Sequence, residues 1–368
     1  MLRNVIRRVR YVCTLGSALF TVCAFTQPLP HFDITGLAKL GDSVRYGSYV
    51  IYRIGDGIYQ INDPGDKVNT RMGGWGADMY LICGTEKAFM VDLGNNYIDG
   101  YKPDLIKPRK NAAEELQAVV FGLTGKLPLE IAITHAHPDH VGMTGAFINN
   151  KNVIFWMPEG ENSSAFKTQF NIDPSVYSRF VQGKSFDLGG GRVVTTYLLR
   201  GHTNGSTAYL LKKDTMLFTG DALGSGFGQS FGRLEAIKGI AEDSQKLVEA
   251  IKANLAPYER YALKVYTGHT WQNVYGGFVT PDEDTIDVGY LDWRFVQNAA
   301  ACANGILKGK WLVDGSGLRY VPKMAQPAVW GGRAPGVLMV YGTAAIFLPL
   351  KTAYEAAGLP MPEEAQQK

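Results

Sequence analysis

Short apolar runs separated by glycine-rich or polar turns set the pattern of this chain. Tyr49-Val50-Ile51-Tyr52-Arg53-Ile54, Gly55-Asp56-Gly57 and Ile58-Tyr59-Gln60-Ile61 predict a β-hairpin, since β-branched and aromatic residues flank a turn that glycine permits. Met79 to Cys83 and Ala88 to Val91 predict two further strands joined across Gly84-Thr85-Glu86-Lys87, and the second ends in Asp92-Leu93-Gly94. Residues 27–43 are mixed and Pro/Gly-punctuated, and read as a lead-in along the surface. The period then changes. Ala113, Leu116, Val119, Val120 and Leu123 recur at helical spacing and predict a helix from Asn111 to Leu123; Glu235 to Leu255 and Thr285 to Leu307 read the same way. Leu129 to Ile133, Val193 to Leu199, Met216 to Thr219 and Tyr261 to Thr267 are strand-like, as are Val337 to Tyr341 and Ala344 to Leu348. This last apolar block is too short to cross a bilayer.

Chemistry collects where these strands end. Thr134-His135-Ala136-His137-Pro138-Asp139-His140 follows the strand at 129–133, and puts four metal-ligating side chains in six consecutive residues on a strand-to-helix loop. His135 and His137 are two apart and point the same way from an extended segment, while Asp139 and His140 address a second point nearby. One ion cannot readily use all four, but two neighbouring ions can, and imidazole with carboxylate suits zinc, iron or manganese. Two more of the six histidines end strand-like runs in matching contexts, Arg-Gly-His202-Thr and Thr-Gly-His269-Thr; only His31 stands apart. Between them Met216-Leu217-Phe218-Thr219-Gly220-Asp221 ends in a carboxylate.

The order His-X-His-X-Asp-His, Gly-His, Gly-Asp, Gly-His resembles the metallo-β-lactamase-fold hydrolases over residues 44–275. The resemblance implies an α+β fold, an αββα sandwich of two mixed β-sheets flanked by helices, which the alternation of elements also suggests. It implies two metal ions, zinc or alternatively iron or manganese. His135, His137 and His202 would hold the first, Asp139, His140 and His269 the second, and Asp221 would bridge them. Asp92 would support the site from behind, or be a plain strand-end turn residue. True β-lactamases of the family generally lack a bridging Asp here, so Asp221 favours the lactonase, thioesterase and phosphodiesterase side.

The mechanism so implied is hydrolysis by a metal-bridging hydroxide oriented by Asp139, with one ion polarising the scissile oxygen. An ester, lactone or related acyl bond is the expected target; β-lactam or phosphodiester hydrolysis is the alternative within the fold. Iron-bearing relatives that act as persulfide dioxygenases or flavo-diiron reductases offer a redox alternative, although no flavodoxin-like partner domain is present. Trp75, Phe227, Trp271 and Tyr275 are candidate substrate contacts, with core packing as the competing role for Trp75. The glycine-rich run 222–228 reads as a rim of the site and lacks the lysine of a phosphate-binding P-loop.

Charge and composition narrow the partners. The chain has 368 residues, 46% of them hydrophobic, and a net charge of +3. The first 24 residues contain Arg3, Arg7, Arg8 and Arg10 and no acid. The remainder has 33 basic residues, the total of 37 less these four, against 34 acidic ones. No strong field for nucleic acid or a membrane surface remains, and a small molecule is the expected partner. Residues 1–26 read as a signal peptide, with an apolar stretch from Tyr11 to Ala24 and small residues at Val22-Cys23-Ala24 for cleavage; an uncleaved anchor is the rival reading. The mature protein is then periplasmic or secreted, without a stable membrane span. Residues 27–280 form the expected catalytic domain and 281–368 a C-terminal extension packed on it, or else a cap or an element that makes a homodimer. Cys83 and Cys302 remain in the mature chain, as a disulfide or as two buried thiols.

Overall fold

Alternate side chains along Met79–Cys83 and Ala88–Val91 enter two different cores. Tyr80, Ile82, Phe89 and Val91 face one, while Met79, Leu81, Ala88 and Met90 face the other. This division repeats through the computed structural model, which describes residues 31–63, 77–95, 111–164, 166–167, 172–225, 228–274, 289–325 and 335–363. The expected signal at 1–26 and the boundary at 280/281 lie outside the described residues.

The first sheet has eight strands in chain order: β1 (Ser43–Tyr46), β2 (Tyr49–Gly55), β3 (Ile58–Asn62), β4 (Met79–Cys83), β5 (Ala88–Val91), β6 (Leu129–Ala132), β7 (Val153–Pro158) and β8 (Tyr177–Phe180). Pairing is antiparallel as far as β5 and parallel from β5 to β8. The predicted hairpin is β2–β3, closed through Gly57 with φ of 62°. The second sheet contains β9 (Ser185–Asp187), β10 (Val193–Leu198), β11 (Thr207–Leu211), β12 (Met216–Gly220) and β14 (Lys264–Thr267), in the order β14-β12-β11-β10-β9. Tyr52, Ile58 and Tyr80 of the first sheet meet Phe186, Tyr209 and Phe218 of the second in the central core.

Helices cover both outer faces. Helix α1 (Ala112–Thr124) buries Leu116, Val119 and Val120 in the core outside the first sheet. The histidine cluster ends inside one short helical turn, α2 (Pro138–Val141), which contains Asp139 and His140, and a second, α3 (Thr144–Phe147), follows it. Helix α4 (Leu234–Asn254) packs Ile237, Ile240, Leu247 and Ile251 in the core outside the second sheet. The αββα plan expected from the sequence is therefore present.

Beyond it lies a third sheet, built on the two strands expected at 337–341 and 344–348 and joined by two that the sequence did not mark. It contains β13 (Gln229–Ser230), β15 (Arg319–Ala325), β16 (Pro335–Tyr341) and β17 (Ala344–Pro349), in the order β13-β17-β16-β15. Two short helices, α5 (Pro257–Tyr261) and α6 (Trp271–Val274), flank β14. Helix α7 (Trp293–Leu307) starts later than the predicted Thr285, because the Asp292 side chain caps it by accepting from Phe295 N. Val296, Ala300 and Cys302 of α7, Ala353 of α8 (Leu350–Ala356), and Val337, Met339 and Leu348 of the hairpin share one core with α4. Cys83 and Cys302 are both free thiols, pushed up by burial to about 11 and about 12. No helix among the described residues is long and apolar enough to cross a membrane.

Candidate metal centre

Strand direction brings the polar side chains together. β5 and β6 run parallel in one sheet, and β10, β12 and β14 point the same way in the other. Asp92, His135, His202, Asp221 and His269 all follow the C-terminal ends of these strands, so they converge on one edge of the sandwich. Glycine makes the approach close enough. A Cβ at Gly220 would lie 2.3 Å from Thr134 Oγ1, and one at Gly268 would lie 2.3 Å from Asp221 Oδ1. Both glycines sit immediately before a predicted ligand, which is the physical content of the Gly-Asp and Gly-His pattern.

The side chains form two groups whose ligand atoms lie within 4.8 Å of one another, His135/His137/His202 and Asp139/His140/Asp221/His269. In the first, His202 Nε2 is 3.1 Å from His135 Nε2 and 2.8 Å from His137 Nδ1. Three imidazole nitrogens facing one another cannot all be satisfied by hydrogen bonds among themselves. In the second, His269 Nε2 is 3.3 Å from Asp139 Oδ2 and 3.5 Å from Asp221 Oδ2, and His140 Nε2 is buried without a hydrogen-bond partner. Both groups fit a divalent cation, and nitrogen with carboxylate oxygen suits zinc, iron or manganese. Asp221 reaches both: Oδ1 is 3.5 Å from His140 Nε2, and Oδ2 is 3.7 Å from His202 Nε2.

Residues 72–269 match the sequence signature of the Metallo-beta-lactamase superfamily, over half of the chain. The chain belongs to that superfamily. The metallo-beta-lactamase region thus begins at Met72, seven residues ahead of β4 in the sequence, and ends at the last histidine of the cluster. Similar curated proteins include the "Probable polyketide biosynthesis zinc-dependent hydrolase BaeB" of Bacillus velezensis, 27% identical over 150 residues. That match covers 38% of this chain and 56% of BaeB, so the chain spans little more than half of that relative's length. The "Probable metallo-hydrolase YqgX" of Bacillus subtilis is 25% identical over 202 residues, 52% of this chain and 84% of YqgX. A β-lactamase domain protein from Burkholderia ambifaria matches with a TM-score of 0.48 and 15% identity, covering 80% of this chain and 84% of that one.

Charge follows position within this metallo-beta-lactamase centre. Burial, reinforced by the other histidines, holds His135 well below the usual histidine range and His202 down at about 4. Burial also opposes charge on His140 and His269, but carboxylates outweigh it. Asp92, Asp139 and Asp221 hold His140 well above its usual range, and Asp221 and Asp139 hold His269 up at about 10. Asp139 and Asp221 are held low in return by His140 and His269, against burial.

Asp92 stands behind the cluster as the resemblance implied. Its φ is 62°, and its carboxylate accepts from Thr134 N at 2.6 Å, Thr134 Oγ1 at 2.8 Å and His140 Nδ1 at 2.7 Å. Because Nδ1 of His140 donates to a carboxylate, Nε2 is the ring nitrogen left to face the centre, and it can ligate once it has lost its proton.

Three residues that the sequence reading did not single out hold the other loops. Glu161 accepts from Ala136 N, Thr203 Oγ1 and Gly205 N. Asp78 accepts from Thr270 N and Oγ1 and donates its own N–H to Gly268 O. Gln229 donates to the main-chain oxygen of Asp221. Asp78 comes just before the start of β4 and Glu161 just past the end of β7, without the strand-then-ligand form that marks Asp92 and Asp221. Trp75, Phe227 and Tyr275, expected at the substrate, lie outside the described residues. Trp271 opens α6 two residues after His269, and the placement of its side chain is likewise outside them.

Proposed function

We propose that this chain is an exported hydrolase with two divalent ions, zinc foremost, that cleaves an ester, lactone or related acyl bond. The observation that carries the reading is Asp221, one carboxylate within reach of histidines from both groups. His135, His137 and His202 would hold one ion, Asp139, His140 and His269 the other, and Asp221 both. Ions so held supply Lewis acidity for a scissile carbonyl and lower the pKa of water.

The chain's own side chains do the rest. Asp139 is the most exposed of the carboxylates, with 26% of its side chain open, and Oδ2 is its inward atom. That oxygen would orient the attacking water, accept its proton and return it to the leaving alkoxide. His140, tied at Nδ1 by Asp92, has no freedom to shuttle protons and serves to hold. The near-neutral charge of the mature sequence supports a small acyl substrate over nucleic acid. Export is supported by the pattern of residues 1–26 alone.

Elemental analysis of the mature protein, paired with a screen of esters, lactones, thioesters, β-lactams and phosphodiesters, tests the reading. Two zinc ions per chain and metal-dependent acyl hydrolysis are expected. Iron with oxygen uptake, or hydrolysis confined to β-lactams or phosphodiesters, would overturn it. N-terminal sequencing of the exported protein should find a start near residue 25 or a few positions beyond.

A further inference from the structure

Each of the two ligand groups has a carboxylate of its own behind it. Glu161 follows β7 and is buried. Its Oε2 accepts from Ala136 N at 2.9 Å, and Ala136 is the residue between His135 and His137. Its Oε1 accepts from Gly205 N at 3.0 Å and from the hydroxyl of Thr203, which follows His202. The loops approach so closely that a Cβ on Gly205 would lie 2.5 Å from Glu161 N, and one on Gly160 would lie 2.7 Å from Asn204 O. One side chain thus fastens the 135–137 segment to the 202–205 turn.

Asp78 does the same on the other side. Buried just before β4, it accepts from Thr270 N at 2.7 Å and Thr270 Oγ1 at 2.6 Å, and its N–H donates to Gly268 O at 2.7 Å. Both neighbours of His269 are gripped by one residue. Asn62 Nδ2 donates to its other oxygen at 2.5 Å, and Gln60 Nε2 donates to Thr270 Oγ1 at 2.7 Å. These side-chain bonds of Asp78 involve neither of the two segments that Glu161 ties.

We infer that Glu161 and Asp78 are positioning residues, each dedicated to one half of the centre: Glu161 sets the His135/His137/His202 half, and Asp78 sets His269 in the other. The inference rests on the reading of the two groups as ion sites. The donors around each carboxylate add a distinction. Glu161 has a donor on both oxygens, so Glu161→Gln must turn an NH2 towards an N–H or O–H and lose a bond. Around Asp78, the Oδ1 of Asn62 is buried without a hydrogen-bond partner. If the Asn62 amide turns over, Asp78→Asn keeps an acceptor for Thr270 and donates to Asn62. Glutamine should therefore fail at 161 where asparagine succeeds at 78.

The test is cobalt(II) titration of the metal-free full chain, followed by ligand-field absorption and metal content. His202→Ala and His269→Ala supply reference spectra for loss of each half. Glu161→Ala and Glu161→Gln should weaken the three-histidine half by roughly 10–100-fold and leave the other unchanged. Asp78→Ala should do the reverse, and Asp78→Asn should behave as wild type. Circular dichroism monitors folding; should an alanine variant fail to fold, Thr203→Val and Thr270→Val remove one donor each and should show smaller shifts in the same halves. Equal weakening of both halves by either variant, or wild-type titrations for Glu161→Gln and Asp78→Ala, would overturn the assignment. A wild-type chain that takes up no cobalt would instead sink the metal reading itself, a separate outcome.

Discussion

Asp92 Oδ2 accepts from His140 Nδ1 at 2.7 Å, with both side chains closed off from solvent. The bond fixes which nitrogen of His140 faces the centre. Asp92→Ala should therefore weaken zinc binding by roughly 10–100-fold, measured by competition with a chromophoric chelator. Asp92→Asn keeps an acceptor for His140 while turning its NH2 towards Thr134 N, and should fall between wild type and alanine.

Gly268 leaves no room for a side chain. A Cβ there would lie 2.3 Å from Asp221 Oδ1 and 2.8 Å from His140 Cε1. Gly268→Ala should cost about 1–3 kcal/mol in stability and reduce metal content, read by thermal unfolding and elemental analysis. Gly145→Ala is the control. It sits in α3 with nothing within 4 Å of the added Cβ, and should be neutral or stabilising by about 0.5–1 kcal/mol.

The carboxylates separate by role. Asp221→Ala should disturb both ion sites at once and lower kcat by orders of magnitude. Asp139→Asn should lower kcat by roughly 10²–10⁴-fold with KM little changed. Steady-state kinetics and metal content on the same preparations decide; an Asp221→Ala enzyme with full metal and full rate would refute the bridging role.

Metal uptake should release protons unevenly between the halves. In the metal-free chain at pH 7, His140 and His269 carry protons, since the first is held well above the usual range and the second at about 10. His135 and His202 are neutral, held low by burial. Imidazole must be neutral to ligate, so filling the Asp139/His140/Asp221/His269 half should free about two protons from these rings. Its affinity should rise with pH between 7 and 9, while His135 and His202 release none. Calorimetry in buffers of different ionisation heat measures both.

What was legible in the sequence followed from repetition of one local form. A strand, then glycine or a tight turn, then His or Asp, recurs at 135, 202, 221 and 269, and each turn places its side chain at the same edge because the strands before them point the same way. Glu161, Asp78 and Gln229 were not legible. The main-chain groups they hold lie 8 residues away for Gln229, 25 for Glu161 and 192 for Asp78, and no period marks such a contact. β1 alternates exposed and half-buried positions without a strong apolar signal. β13 is two residues long and exists as a strand only because Ile346 and Phe347 lie beside it.

That pairing has a consequence for what a shortened chain would keep. Gln229 and Ser230 pair in parallel with Ile346 and Phe347, Phe231 N donates to Phe347 O, and Gln229 in turn holds the main chain of Asp221. The other six candidate ligands and their strands all precede β17 in the chain. The loop behind Asp221 gains its seat only when a strand more than a hundred residues further along has docked, so a chain cut short before β17 would keep every candidate ligand and lose the support of one of them.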